Sequence, residues 1–205
     1  MDKDLVLIKA IIDADYKRHI KRFEQLNASY DHLLLGDSMM AYMPLKKMGY
    51  DNICNQGIPG DTTRGVLDRL KFVFQVKPKN VFLHIGSNDL VLTNHDDHQI
   101  ISNIQAIIAE LNTKEMHVIV LSITPVLENH PKTNQTFIKN RTNIKIDRLN
   151  EQIKKLKGIK HFINVNPQLK DKNDQLNENY TTDGVHLNQS GYDILMNLIK
   201  PWMKE

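Results

Sequence analysis

The sequence predicts an α/β fold: a three-layer α/β/α sandwich around a parallel sheet. Two observations carry that expectation. Five short runs rich in Leu, Val and Ile alternate with longer segments whose apolar residues recur at helical spacing. The runs are apolar almost throughout, which is the pattern of parallel strands covered by helices on both faces.

Taken in order, Leu5 to Asn27 reads as a helix, with Leu5, Ile8, Ile12, Ile20 and Phe23 at roughly helical spacing between charges. Asp31 to Leu35 is the first core strand. Met39 to Met48 is expected to be helical, although Pro44 limits that helix or must sit in its first turn. Asp51 to Asn55 is a second strand. Gly57 to Thr63 is a loop in which Thr62 or Thr63 is available as a cap, and the helix that follows runs to about Gln75. Pro78 marks a turn, and Asn80 to Ile85 is the third strand. Asp97 to Leu111 is an amphipathic helix, His117 to Ile123 a strand, and Pro125 to Gln135 a loop. Phe137 to Leu156 reads as one helix stopped by Gly158. His161 to Val165 is the fifth strand. Asn166 to Asp183 has no clear period, and a last helix begins near Asn188 and ends before Pro201.

A chain of 205 residues is long enough for one well-buried domain and short for two. No linker or repeat divides it, so residues 1–205 are expected to form one domain, with residues 1–30 a helical extension packed on the sheet. That first helix has two places to pack, its own sheet or a second copy of the chain in a homodimer. A net charge of +3 is too weak to imply a nucleic-acid partner. The chain has no apolar run of ~18 residues and nothing resembling a secretory signal at its start, so a cytoplasmic protein without integral membrane contact is expected. The single cysteine, Cys54, excludes an internal disulfide and reads as a small buried hydrophobe.

The chemistry gathers where strands end. In open parallel sheets, ligands bind outside the carboxyl ends of the strands. Ser38 follows the first strand in Gly36-Asp37-Ser38, Gly57 follows the second, and Asn88 follows the third in Gly86-Ser87-Asn88-Asp89. A serine hydroxyl needs a base to act as a nucleophile, and histidine suits that role because its pKa lies near neutral pH. His186 stands three residues after Asp183, and a turn at Gly184 would bring that carboxylate against the imidazole, fixing its tautomer. An oxyanion formed by attack on a carbonyl needs donors already in place. The candidates are the backbone N–H groups of Ser38 and Gly57 and the side-chain amide of Asn88. Asp37 and Asp89 read as carboxylates that support the loops rather than react. His84, inside an apolar strand, reads as a hydrogen-bonded core residue. His95 and His98 with Asp96 and Asp97 read as a solvated helix start rather than a metal site. Asp61 and Arg64 read as surface ion-pair residues.

These blocks together resemble the SGNH, or GDSL-type, esterase and lipase superfamily, through Ser38, Gly57, Asn88 and His186 with Asp183, in the family's order. The stretch Asn55 to Thr63 is similar to the branch containing platelet-activating-factor acetylhydrolase-like proteins. Met39 stands where the family name has leucine, and Ser87 where threonine is common. The resemblance implies a flavodoxin-like five-stranded sheet of order 2-1-3-4-5. It also implies ester hydrolysis through a serine acyl-enzyme, with no metal or organic cofactor. The partner is then a small-molecule acyl ester. The polar residues Asn129, His130, Lys132, Asn134 and Gln135 of the loop after the fourth strand lean toward short acyl or O-acetyl substrates. The rival expectations are a lysophospholipase or thioesterase acting on longer chains, and a ligand-binding module without activity. A phosphate binder would need a glycine-rich loop, and neither G-x-G-x-x-G nor the Walker pattern occurs.

Overall fold

The computed structural model describes residues 3–129, 131, 133, 135–138 and 140–203, and the side chains of residues 10–129, 131, 133, 135, 138 and 140–203 among them. Five parallel strands form one sheet in the order β2-β1-β3-β4-β5. They are β1 (His32–Gly36), β2 (Ile53–Gly57), β3 (Asn80–His84), β4 (His117–Leu121) and β5 (His161–Ile163). The central pair, β1 and β3, runs in register from His32 opposite Asn80 to Gly36 opposite His84.

Successive side chains on a strand face opposite ways, and this divides the core in two. Leu33, Leu35, Val81, Leu83, Val118 and Val120 pack with Val66 of α3 (Thr63–Asp68), with Val73 of α4 (Leu70–Val76), and with residues of two later helices on the same face, α6 (Asp97–Asn112) and α8 (Asn143–Ile153). Leu34, Phe82, Ile119 and Leu121 pack on the other face with Met39 and Met40 of α2 (Ser38–Ala41), Leu169 of α9 (Asn166–Leu169) and Leu195 and Ile199 of α10 (Gln189–Ile199). The two remaining short helices are α5 (Asp89–Leu92) and α7 (Gln135–Ile138). The first helix, α1 (Lys3–Glu24), meets the body through a third cluster in which Phe23 is buried with Ile58 and Phe72.

Several boundaries differ from the sequence expectation, among them three near the site. The helix expected over Met39 to Met48 is interrupted: α2 ends at Ala41 and a 3-10 turn covers Leu45–Met48, closed by Gly49 at φ 80°. Pro44 has no N–H to continue an α-helix and disfavours the helical conformation in the residue before it. The helix expected over Phe137 to Leu156 is also broken, because Thr142 caps a fresh start by accepting a hydrogen bond from the Lys145 N–H. Arg141, between α7 and α8, is left to reach the loop after β3. Third, β2 runs to Gly57 rather than stopping at Asn55, with Gly36 opposite Gly57. The single cysteine, Cys54, is buried in β2, as expected. Of the polar loop residues that suggested a short acyl substrate, His130, Lys132 and Asn134 lie outside the described residues. Among the described residues, no helix is long and apolar enough to cross a membrane.

Candidate active site

Ser38 sits where β1 gives way to α2. Asp37 is the N-cap of that helix, and its Oδ1 accepts the Met39 N–H at 2.9 Å. Asp37 is buried, and behind it lies His84 of β3, with Nδ1 3.5 Å from Asp37 Oδ1. The His84 Nε2 accepts the Thr124 N–H at 3.3 Å, so the ring proton resides on Nδ1, facing Asp37. His84 is thus the hydrogen-bonded core residue expected, and it backs the carboxylate that shapes the serine turn.

His186 reaches this edge from a loop 148 residues later in the chain, placing Nε2 3.0 Å from Ser38 Oγ. Its Nδ1 lies 2.7 Å from Asp183 Oδ2. The turn that allows this is built as expected, with Gly184 at φ 86° and Asp183 Oδ1 accepting the N–H groups of Val185 and His186 at 3.0 and 2.7 Å. Burial pushes the Asp183 carboxyl up. The hydrogen bonds from the His186 ring and backbone, the imidazole's charge and the Val185 N–H outweigh burial and hold the carboxyl down at about 2. It is therefore a carboxylate at any pH where the imidazole can accept a proton. Tyr42 stands edge-on to the His186 ring, with centroids 5.4 Å apart. A hydroxyl, an imidazole and a carboxylate in hydrogen-bonded series can move a proton off the hydroxyl and stabilise the resulting imidazolium.

Asn88 comes to the same edge, and its carboxamide is held at both ends. Its Nδ2 donates to the Asp61 carbonyl at 2.9 Å, and its Oδ1 accepts from Arg141 Nη2 at 2.8 Å. Gly57 does not join it. Its N–H donates to Asn55 Oδ1 at 2.9 Å, and a Cβ built there would lie 2.2 Å from the Ala41 nitrogen. The missing side chain at position 57 lets α2 pack tightly on β2 and does not open space for a ligand. The glycine that lines the cavity over Ser38 is Gly60, in the left-handed conformation at φ 78°. Among the described residues, neither the Gly60 N–H nor the Ser38 N–H has an acceptor.

Asp89 is fully buried and supports the loops, as expected. It takes hydrogen bonds from the N–H and hydroxyl of Thr63, at 3.0 and 2.6 Å, tying the loop after β3 to the start of α3. His95 Nδ1 lies 3.2 Å from the same carboxylate, while Asp96 caps α6 in a reciprocal box with Gln99. The surface ion pair expected of Asp61 and Arg64 divides. Arg64 pairs with Asp68 on the outside of α3, whereas Asp61 is buried against Arg69, with Nε–Oδ2 at 2.7 Å. Arg69 also donates to the Gly36 carbonyl at 3.1 Å, bracing the serine turn and the Gly60 loop from one cation. Among the described residues, no group of three or more His, Cys, Asp or Glu side chains is arranged to hold a metal ion.

Two further contributors had no sequence signal. Arg141 lies in the break between α7 and α8, inside what the periodicity had marked as helix. The other is α1, whose Ile11 and Ile12 line a cavity of about 420 Å³ that opens over Ser38. Tyr42, Pro59, Leu92 and Val185 complete its apolar wall, and Asn88, Arg141, Asp183 and His186 supply the polar groups.

The family model for GDSL-like lipase/acylhydrolase proteins matches residues 34–194. Among curated proteins, the chain is 24% identical over 193 residues to an N-acylneuraminate cytidylyltransferase of Escherichia coli O18:K1:H7, covering 92% of this chain and 44% of that protein. It is 34% identical over 106 residues to the platelet-activating factor acetylhydrolase IB subunit alpha2 of Homo sapiens, covering 46% of this chain and 44% of that one. The chain thus spans less than half the length of these curated relatives. Among solved structures, a Streptococcus pneumonia protein described provisionally as a platelet activating factor superposes with a TM-score of 0.87 at 27% identity over 98% of both chains. A GDSL-like lipase of Bacteroides thetaiotaomicron shares the fold, with a TM-score of 0.78 at 24% identity over 93% of this chain and 98% of that one.

Proposed function

Because the chain belongs to the GDSL-like lipase/acylhydrolase family, we propose that it hydrolyses a carboxylic ester through a serine acyl-enzyme. The observation that carries this reading is the series Ser38 Oγ, His186 Nε2 and Nδ1, and Asp183 Oδ2, at 3.0 and 2.7 Å. His186 takes the Ser38 proton as Oγ attacks the carbonyl carbon, and Asp183 stabilises the imidazolium. The oxyanion is met by the N–H groups of Ser38 and Gly60 and by the second amide N–H of Asn88. Gly60 replaces Gly57 in that role. His186 then returns its proton to the leaving alkoxide. A water, deprotonated in turn by His186, attacks the acyl-enzyme, and His186 gives that proton to Ser38 Oγ as the acid leaves.

For the substrate we favour short acyl or O-acetyl esters, a preference supported by the acetyl chemistry in the name of the platelet-activating factor acetylhydrolase relative. The cytidylyltransferase name is not carried over, since the match covers 44% of that protein and this sequence has no phosphate-binding glycine loop. A second reading, hydrolysis of longer acyl esters or thioesters, draws support from the apolar wall of the cavity, which has more room than an acetyl group fills. A p-nitrophenyl ester series from acetyl to palmitoyl separates the two readings, the first expecting a peak at the short end. Ser38→Ala is expected to abolish hydrolysis while leaving the circular dichroism spectrum unchanged. Undiminished turnover in that variant overturns the mechanism. Failure of Ser38 to react with a fluorophosphonate would favour a binding module instead.

A further inference from the structure

Arg141 is 2% exposed. Among the described residues, no carboxylate lies within ion-pair distance of its guanidinium. A buried cation without a counter-charge is costly, and proteins normally pair it or neutralise it. Burial lowers the Arg141 pKa to about 10, against the more distant charges of Asp37 and Asp183, so the group remains a cation at neutral pH. It spends its hydrogen bonds on one short segment, with Nε donating to the Ser87 carbonyl at 3.2 Å and Nη2 to Asn88 Oδ1 at 2.8 Å.

The Asn88 carboxamide is planar, with one acceptor end and two N–H donors. Arginine can only donate and the Asp61 carbonyl can only accept, so these two partners admit one orientation of the amide and exclude its flip. The second N–H has no acceptor among the described residues, on a side chain that lines the cavity over Ser38. A cation at the oxygen end draws electron density from the amide and makes that remaining N–H a stronger donor.

We propose that Arg141 is a positioning residue for the reaction, which fixes and polarises Asn88 so that a charge held in the resting enzyme is neutralised when the oxyanion forms. The inference rests on the hydrolase reading above. Arg141 lines the cavity as well, and its contribution to the reaction runs through Asn88. Its contribution therefore belongs to the transition state and is bounded by that of Asn88.

The test is a double-mutant cycle on p-nitrophenyl acetate with Arg141→Met and Asn88→Ala. Asn88→Ala is expected to lower kcat by about 10²–10³-fold. Arg141→Met should lower kcat by about tenfold or more, up to the same limit, with KM unchanged. In the Asn88→Ala background, the Arg141 change should cost less than about twofold, the margin within which independent effects add. Arg141→Lys retains the charge but cannot bridge both oxygens as the fork does, so it should recover part of the lost kcat. It also completes the cycle should Arg141→Met fail to fold. Additive losses, or a raised KM with kcat intact, overturn the proposal. Wild-type turnover reports on the hydrolase reading itself, so with turnover present an additive cycle removes only the role of Arg141. The Asn88 side-chain amide resonances in 1H–15N spectra need no activity. They should shift in Arg141→Met, and resonances that stay in place overturn the proposal whatever the turnover.

Discussion

An added methyl group distinguishes the two glycines of the Gly57-Ile58-Pro59-Gly60 stretch. At Gly57 it would meet backbone atoms, the Ala41 nitrogen at 2.2 Å and the Met40 carbonyl carbon at 2.8 Å, which move only if α2 or β2 moves. Overpacking of this kind typically costs about 1–3 kcal/mol. At Gly60 it would meet the flexible ends of Ile12 at 2.7 and 2.8 Å, and the left-handed backbone adds about 1–2 kcal/mol for a residue with a Cβ. Gly57→Ala is therefore expected to lower the urea midpoint by displacing the helix that carries Ser38. Gly60→Ala should lose kcat out of proportion to its loss of stability, because it moves an oxyanion donor. Urea titration and p-nitrophenyl acetate turnover on both variants decide it. Full activity in Gly60→Ala contradicts the assignment of that donor. The sequence pointed to Gly57 alone, because a strand end placed two residues early at Asn55 left Gly57 in the loop. Ser38, Asp183 and His186 were legible because each stands in a short motif whose local turn is dictated by its own residues. Arg141 was not, because its role depends on Asn88, which the fold alone brings against it.

At the scale of the elements, what could be read was what the core dictates. The strands are runs buried on both faces, so their apolar residues are continuous, and all five were legible to within two residues at either end. Breaks were harder to read. Thr142 starts α8 through a side-chain cap inside an apolar period that continues across it, so the periodicity of Ile138, Ile144, Ile146 and Leu149 masks the interruption. The first helix shows the opposite case, predicted as an element but not as part of the site. It is seated by Phe23, which is fully buried, and by Tyr16, whose hydroxyl donates to the Gly65 carbonyl at 3.4 Å. That seating puts Ile12 against Gly60 and into the cavity wall. Ile12→Ala is expected to lengthen the acyl chain that gives the highest kcat/KM, since it removes wall and not machinery. A 1–3 kcal/mol change in discrimination is usual for each methylene a pocket admits or rejects. An acyl-chain series on this variant that peaks at the same length as wild type shows that α1 does not bound the substrate.

Across the whole molecule, the site is a closure of the chain on itself. Ser38 leaves the second strand of the sheet in spatial order, and Asp183 and His186 arrive after the last strand. Both halves depend on the β2-β1-β3-β4-β5 order to meet. The hydrogen bonds between Asp183 and His186 are therefore expected to contribute to stability, and acid exposes the link. Asp183 has its folded pKa held down at about 2, below the ~3.9 of an unperturbed Asp. A depressed carboxylate contributes stability that is fully present above the unfolded value and is lost as pH falls through the folded one. Asp183→Asn removes this contribution while keeping the shape of the side chain. The urea midpoint of wild type should thus exceed that of Asp183→Asn by a constant margin from neutral pH down to about 5. The margin should then shrink as pH falls from about 4 through about 2, below which both chains carry an uncharged group at this position. The Asp183 side chain is 45% exposed, so solvent screening keeps the margin small, and its pH dependence is the diagnostic feature. A margin that stays constant down to pH 2 would mean that the Asp183 turn is held by the backbone around Gly184 alone, and that the charge on Asp183 does not contribute to the fold.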